Sequence, residues 1–134
     1  MEYLNDLLKA FYMKIPFENI SKIYYFKKYC LKDIPDIGLY LHGIENFNFG
    51  GMCYSNNYHF NKLLNYLDFD VRLIGTHMSK PDSHMANIIT VNKKEYFIDV
   101  GYAVAFPFAI PFHSDVIQTF KVGHSTYKIL EQNW

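Results

Sequence analysis

The sequence changes its pattern at Asp68, and this change limits the fold more than any other feature. Before it, apolar residues recur at helical spacing, first over residues 1–14 and most clearly over residues 53–67. After it, short β-branched and aromatic runs alternate with turn residues. Helices followed by strands predict an α+β fold with an antiparallel sheet. We therefore expect a helical subdomain over residues 1–69 and a β subdomain over residues 70–134.

The sequence predicts some boundaries between these elements more clearly than others. Pro16 predicts the end of the first helix, because proline cannot continue the hydrogen-bonded ladder. Residues 19–29 fit a helix or a strand equally well, and residues 31–49 have the glycine, proline, Asp and Asn content of a loop. Residues 116–131 predict one or two further strands around Gly123.

Composition excludes several classes of protein. The chain has 134 residues, enough for one domain with a real core, and its 13 cations balance its 13 anions. Because the net charge is zero, we predict no nucleic-acid partner. Only Arg72 is an arginine, so bidentate capture of phosphate or carboxylate is nearly unavailable. No apolar run is long enough to predict a membrane span or a signal peptide, so we expect a cytoplasmic protein. Cys30 and Cys53 form no disulfide framework, and no C-x-x-C or H-E-x-x-H spacing predicts a metal site.

Cys53 has the sequence context of a nucleophile. It follows the turn-forming pair Gly50–Gly51 and opens the clearest predicted helix. The unpaired amides and dipole at a helix N-terminus stabilise a thiolate. A buried, inert cysteine is the alternative interpretation, and it is the one we adopt for Cys30.

His84 and Asp99 are candidates for the base and its orienting acceptor. If residues 92–93 form a two-residue hairpin loop, the strands pair so that His84 lies opposite Gly101 and diagonal to Asp99 on one face. A slip of one residue would place the two side chains on opposite faces. Separate structural roles for the histidine and the carboxylate remain the alternative.

Four segments resemble the arylamine N-acetyltransferase family. Residues 15–20 (IPFENI) resemble its I-P-F-E-N-L segment, and residues 49–53 (FGGMC) with Asn57 resemble its R-G-G-x-C-x-E-x-N motif. His84, a few residues before a hydrophobic strand, resembles the family histidine. Residues 98–102 (IDVGY) resemble V-D-V-G-F, and the order of the motifs is the same.

This resemblance implies acetyl transfer by a Cys-His-Asp triad. Cys53 would take acetyl from acetyl-CoA as a thioester and pass it to an arylamine or arylhydrazine, while His84 activates the thiol and Asp99 orients His84. The resemblance also implies a papain-like or transglutaminase-like core, with a partial β-barrel after the helices. The residues expected to line the acyl and substrate site are Phe17, Gly51, Gly101 and Tyr102.

The chain departs from the family pattern at several positions. Phe49 replaces the motif arginine, Ser55 replaces the motif glutamate, and Ala103 follows Tyr102 where the family has glycine. We also expect the family's third domain to be missing, which would leave an open sheet edge that a homodimer could cover. A catalytically weak or inactive relative acting as an interaction module is therefore the alternative function. A cysteine hydrolase or transglutaminase-like activity would use the same triad.

Overall fold

The computed structural model describes residues 1–76, 80, 82–102, 106–112 and 117–129. Within these ranges α-helices come first and antiparallel β-strands follow, which confirms the predicted α+β class. The helices are α1 (Glu2–Lys14), α2 (Ile20–Tyr29), α3 (Ile37–Phe47) and α4 (Cys53–Tyr66). The strands are β1 (Asp70–Gly75), β2 (Met85–Val91), β3 (Lys94–Ile98), β4 (Ile110–Pro111), β5 (Gln118–Val122) and β6 (Ser125–Ile129). The division into two subdomains stays a prediction.

The first two helices end where the sequence provides a stop. Ile15, which precedes Pro16, has an extended backbone (φ −117°, ψ 109°), so α1 ends at Lys14. The segment that fitted a helix or a strand is helical and forms α2. Cys30 closes α2 in the left-handed conformation with φ 55°, and its N–H donates to the carbonyls of Phe26 and Tyr25.

The prediction of a loop over residues 31–49 is wrong for Ile37–Phe47, which forms α3. The Asp36 side chain accepts a hydrogen bond from Leu39 N at 2.8 Å and so caps the start of this helix. The glycines of the segment suggested a break, but Gly43 is there for close packing. A Cβ added at Gly43 would lie 2.0 Å from the Tyr25 hydroxyl oxygen, so α2 and α3 approach each other at this residue.

The sheet that carries the candidate site has the order β1-β2-β3-β4, with neighbouring strands antiparallel. β2 and β3 pair in the predicted register, in which Val91 lies opposite Lys94. Asn92 and Lys93 between them have φ values of 51° and 63°, as a two-residue hairpin turn requires. β5 and β6 form a separate two-stranded sheet around Gly123, as predicted.

The apolar core lies between α1, α4 and the four-stranded sheet. Its buried members are Leu4, Leu8, Phe11, Phe60, Leu64, Ile89, Ile98 and Val100. Leu63 on α4 lies outside this core, and its residue surface is 40% exposed. Polar residues fill the buried face of α4 towards its N-terminus, and those fully buried or nearly so are Asn56, Asn57, His59 and Asn61.

Candidate active site

Cys53 is the first residue of α4, and it is buried. Met52 is the N-cap, and no side chain among the described residues caps this helix. The first-turn amides of α4 and the helix dipole therefore act on the space around the thiol. The interpretation of Cys30 as a buried cysteine is wrong, because Cys30 is exposed. Within the described part of the chain neither cysteine is in a disulfide.

The turn before Cys53 is held by the segment that follows α1. Gly51 N donates to Pro16 O at 3.3 Å and Glu18 N donates to Gly51 O at 3.1 Å, so Phe17 pairs with Gly51 in a short parallel bridge. A Cβ at Gly50 would lie 1.9 Å from Pro16 O, which no other residue type could avoid. The bridge brings Phe17, whose residue surface is 43% exposed, beside the turn that leads to the thiol.

Glu18 fixes this turn through backbone hydrogen bonds. One carboxylate oxygen accepts from Gly50 N at 3.0 Å and the other accepts from Ser21 N at 2.9 Å. A single side chain therefore joins the start of α2 to the turn before Cys53. A carboxylate that accepts from two amides makes stronger hydrogen bonds than a neutral acceptor would.

Phe49 occupies the position of the motif arginine and contributes aromatic packing there. Its ring centroid lies 5.4 Å from Tyr24, 6.0 Å from Tyr25 and 5.2 Å from Phe47. Edge-to-face and tilted pairs at such distances are favourable. Apolar contacts with α2 and α3 thus hold the residue before the Gly-Gly turn.

His84 and Asp99 form a short, directed contact. The distance from His84 Nε2 to Asp99 Oδ2 is 2.6 Å, and the Asp99 residue surface is 6% exposed. Because the carboxylate accepts this hydrogen bond, Nε2 carries the hydrogen and Nδ1 is the nitrogen that can take up a proton. His84 and Asp99 lie just beyond the paired residues of β2 and β3, whose ladder ends at Asn87 and Ile98, and the side chains predicted to lie diagonally are in contact there.

The second oxygen of Asp99 is also fully engaged. Oδ1 accepts from Asn57 Nδ2 at 2.8 Å and from Gly101 N at 2.9 Å. The Tyr12 hydroxyl donates to the Asp99 backbone carbonyl. Burial raises the pKa of Tyr12 above its ordinary value, so this hydroxyl keeps its proton and remains a donor. Asp99 is thus oriented by a residue of α1, by a residue of α4 and by the backbone two residues further along the chain.

Gly101 is the point at which the strand segment touches the cysteine. A Cβ at Gly101 would lie 2.5 Å from Cys53 Cα and 2.6 Å from Asn57 Nδ2. Only a glycine permits so close an approach of the two backbones. Tyr102 follows, with its ring edge-on to His84 at a centroid distance of 5.7 Å and half of its surface exposed. Ala103, where the family has glycine, lies outside the described residues.

A cavity of about 1040 Å³ opens beside Cys53. The start of α4 forms one side of it with Ser55, Tyr58 and Lys62, and the connection from α2 to α3 forms another. The charged side chains around it include three lysines and three aspartates: Lys22, Lys32, Lys62, Asp33, Asp36 and Asp82. A cavity of this size can hold a substrate-sized molecule.

Three contributors to the site were missed in the sequence. Tyr12 and Asn87 gave no signal, because a tyrosine in an amphipathic helix and a polar residue in a strand have ordinary explanations. Asn57 was noted only as part of a motif. The signal that could have found this layer is the spacing of Asn57, Asn61 and Asn65, which repeats every four residues along one helix face.

Among the described residues no group of three His, Cys, Asp or Glu side chains could hold a metal ion. In the same part of the chain no helix combines the length and the apolar character needed to cross a membrane.

Comparison with protein families identifies the family of the chain. The model of the N-acetyltransferase family matches residues 1–134. The chain therefore belongs to this family, which confirms the resemblance to arylamine N-acetyltransferases predicted from its motifs. A comparison with curated proteins gives no match.

Solved structures support the fold. An arylamine N-acetyltransferase from Bacillus cereus, described as having a unique Cys-His-Glu catalytic triad, is similar with a TM-score of 0.69 and 22% identity. Arylamine N-acetyltransferase C from Bacillus anthracis gives 0.70 and 22%, and the enzyme from Mycobacterium abscessus gives 0.75 and 20%. In each comparison 95% of this chain is covered. The chain spans 51%, 51% and 44% of the lengths of those proteins.

Proposed function

We propose that the chain transfers an acetyl group from acetyl-CoA to an arylamine or arylhydrazine through a thioester on Cys53. The observation that carries this proposal is the 2.6 Å contact between His84 Nε2 and Asp99 Oδ2, close to Gly101, which packs against the Cys53 backbone. Membership of the N-acetyltransferase family supports acetyl transfer as the reaction. The Bacillus cereus relative has glutamate as the third triad member, and Asp99 would take that role here.

The proposed reaction has two half-reactions. In the first, His84 Nδ1 takes the proton of the Cys53 thiol, and the thiolate attacks the thioester carbonyl of acetyl-CoA. Coenzyme A leaves as a thiol with the proton from His84, and Cys53 carries the acetyl group. In the second, the amine attacks the acetyl-cysteine and gives its proton to His84, which returns it to the cysteine sulfur. Asp99 keeps the imidazole in the correct tautomer and stabilises the imidazolium that forms in each step.

The surroundings of Cys53 fit this pair of substrates. We assign the cavity beside the thiol to substrate binding, with lysines available to the phosphates of the donor and tyrosine rings available to an aromatic acceptor. The cavity-lining Lys62 and Tyr58 lie on α4, the helix that carries the nucleophile. Phe17, Gly51, Gly101 and Tyr102 would line the acyl site, since the first two belong to the turn before Cys53 and the last two follow Asp99.

Mass spectrometry of the intact protein after mixing with acetyl-CoA tests the first half-reaction. We expect a gain of one acetyl group that persists in Cys30→Ser and is lost in Cys53→Ala. Addition of an arylamine should then remove the acetyl group and yield the acetylated amine. A folded protein that gains no acetyl would overturn the proposal and favour the interaction module. Hydrolysis of the acetyl-enzyme with no transfer to any amine would favour a cysteine hydrolase.

A further inference from the structure

Behind the His84–Asp99 pair lies a row of four asparagine side chains. Asn57, Asn61 and Asn65 follow each other at four-residue intervals on α4, and Asn87 on β2 completes the row. The residue surfaces of Asn57 and Asn87 are 0% exposed, and that of Asn61 is 7% exposed. The proposed chemistry makes no direct use of Asn61, Asn65 or Asn87.

The four side chains form one continuous path of hydrogen bonds. Asn65 Nδ2 donates to Asn61 Oδ1 at 3.0 Å, and Asn61 Nδ2 donates to Asn87 Oδ1 at 2.9 Å. Asn87 Nδ2 donates to Asn57 Oδ1 at 3.2 Å, and Asn57 Nδ2 donates to Asp99 Oδ1 at 2.8 Å. The exposed Asn65 begins the path as a donor, and Asn61, Asn87 and Asn57 each accept a hydrogen bond on the side-chain oxygen and donate the next one from the nitrogen. The path ends on the Asp99 carboxylate.

The direction of this path is fixed by backbone groups, which have only one role each. Asn57 Nδ2 also donates to the Met85 carbonyl at 2.7 Å, and Asn57 Oδ1 accepts from Val100 N at 3.1 Å. Asn87 Nδ2 also donates to the Asn57 carbonyl at 3.2 Å. Because a carbonyl only accepts and an amide N–H only donates, neither side chain can be turned over without losing bonds.

The other two amides are fixed in the same way. Asn65 Nδ2 donates to the Asn61 carbonyl at 2.9 Å, which settles its orientation. Asn61 lies between Asn65 and Asn87, so only one of its orientations serves both neighbours. All four amide dipoles thus point their positive ends along the path towards Asp99.

We propose that Asn87 and Asn61 are positioning residues for the His84–Asp99 pair and act on it through Asn57. This inference rests on the acetyl transfer proposed above. Aligned hydrogen bonds polarise one another, and donors aimed at a carboxylate favour its ionised form. The row also leaves Asp99 Oδ2 free to face His84, because Oδ1 is occupied by Asn57 and Gly101.

A purely structural role would have been easier to fill with apolar side chains. Buried amides contribute little net stability even when every hydrogen bond is made, and well-packed apolar residues serve at least as well. The neighbouring Ile89 shows this, since it lies on the same face of β2 as Asn87 and belongs to the apolar core. The asparagine row reaches Asp99 at Asn57, where α4 approaches the carboxylate.

The test is the pH dependence of Cys53 alkylation by iodoacetamide, read by mass spectrometry in a Cys30→Ser background from pH about 5 to about 9. In Asn87→Leu we expect the rise of the alkylation rate to move to higher pH, with a loss of about threefold to tenfold at mildly acidic pH. Asn61→Ala should shift the profile in the same direction by a smaller amount. Ile89→Val is the matched control, and it should lower thermal stability without moving the profile.

The outcomes separate this inference from the acetyl transfer on which it rests. Folded Asn87→Leu and Asn61→Ala proteins with the parent profile would overturn the inference, even if acetyl transfer is found. A shifted profile would support it, even if acetyl-CoA leaves no acetyl group on Cys53. If Asn87→Leu fails to fold, the profile of Asn61→Ala decides between the two outcomes. Asn61 lies one hydrogen bond further from Asp99 than Asn87 does, so we expect its loss to disturb the fold less. In the chain that keeps both cysteines, alkylation of Cys53 at the rate and pH dependence of the exposed Cys30 would overturn both proposals.

Discussion

The two halves of α4 are held in opposite ways. Its C-terminal half packs Phe60 and Leu64, both fully buried, into an apolar cluster shared with α1 and the sheet. Its N-terminal half buries Asn56 and Asn57, whose partners are backbone carbonyls, amide groups, the Tyr40 hydroxyl and the Asp99 carboxylate. The asparagine row continues through Asn61 and Asn65 beside these apolar residues, so the C-terminal half combines an apolar face with polar contacts, whereas hydrogen bonds dominate in the N-terminal half.

The difference teaches what each kind of contact can specify. Apolar burial is non-directional, so it places α4 against the sheet but tolerates small changes in the direction of side chains. Hydrogen bonds are directional, so the polar end can hold the Asp99 oxygens in one plane and keep His84 in one tautomer. We therefore expect substitutions in the polar end to affect chemistry first, and substitutions in the apolar end to affect stability first.

The largest effect on chemistry is expected for Asp99→Asn. The amide oxygen can still accept from Asn57 and Gly101, so its NH₂ group would face His84 Nε2. Nε2 would then have to accept, which moves the imidazole hydrogen to Nδ1, the nitrogen that should take the thiol proton. We expect acetylation of Cys53 to fall about 10³- to 10⁴-fold with little change in thermal stability. Acetylation at the parent rate, measured in a rapid-mixing experiment, would show that Asp99 does not set the tautomer.

Leu64→Ala should give the opposite result at the apolar end. Leu64 is fully buried, so removing its side chain leaves a cavity and should lower the free energy of unfolding by about 2–5 kcal/mol. Urea titration measures this loss, and the rate of Cys53 alkylation per folded molecule should stay unchanged. Leu63→Ala is the matched control on the same turn, because Leu63 is 40% exposed and its loss should cost below about 0.5 kcal/mol. Equal losses of unfolding free energy in the two variants would contradict the placement of Leu64 inside the core and Leu63 outside it.

Gly101→Ala tests the point at which the polar end meets the strand. The new methyl group would lie 2.5 Å from Cys53 Cα and 2.9 Å from Cys53 O, so the backbones must separate. We expect a loss of about 1–3 kcal/mol in the free energy of unfolding, together with a slower reaction at Cys53. The control is Gly38→Ala in α3, where the nearest atom to the added Cβ would be 3.3 Å away. Parent-like reactivity in a folded Gly101→Ala protein would mean that this close approach does not position the thiol.

The sequence predicted the elements whose signals are local. The helical spacing, the stop at Pro16 and the hairpin turn at residues 92–93 are each determined by a few neighbouring residues. Because the hairpin register followed from its turn, the proximity of His84 and Asp99 could be predicted as well. The helix α3 was missed because Gly43 suggests a break in the sequence, whereas its packing against Tyr25 is visible only in three dimensions.

The rest of the site depends on contacts between distant segments. Tyr12 reaches the Asp99 carbonyl from a helix 87 residues away, and Glu18 reaches Gly50 across 32 residues. The sequence does not show which residue a polar side chain will contact. Asn87 therefore looks like an ordinary strand residue until the structure shows that β2 packs against α4. The chemistry-bearing residues were therefore easier to predict than the residues that orient them.

The smallest expected effect concerns His59, a buried residue of the polar end that is not part of the asparagine row. Its Nε2 lies 3.0 Å from the Pro35 carbonyl, its ring stacks on Tyr40 at 4.1 Å, and its buried Nδ1 has no partner among the described residues. Burial lowers the pKa of His59 below its ordinary value of 6.5, against the smaller opposing effects of the Pro35 carbonyl and Asp36. Between these two pKa values the unfolded chain binds a proton that the folded chain does not.

The stability contributed by neutral His59 is therefore present above pH about 6.5 and is lost as the pH falls below it, through the lowered pKa of the folded protein. His59→Gln keeps a donor for the Pro35 carbonyl and removes the titrating group. Urea titrations from pH about 8 to about 5 should show the parent losing more stability than this variant on the acid side of pH 6.5. Parallel curves would mean that His59 is protonated as readily in the folded chain as in the unfolded one. Because asparagine side chains do not titrate, a steeper loss of stability in the parent would assign the pH dependence to His59 and not to the asparagine row.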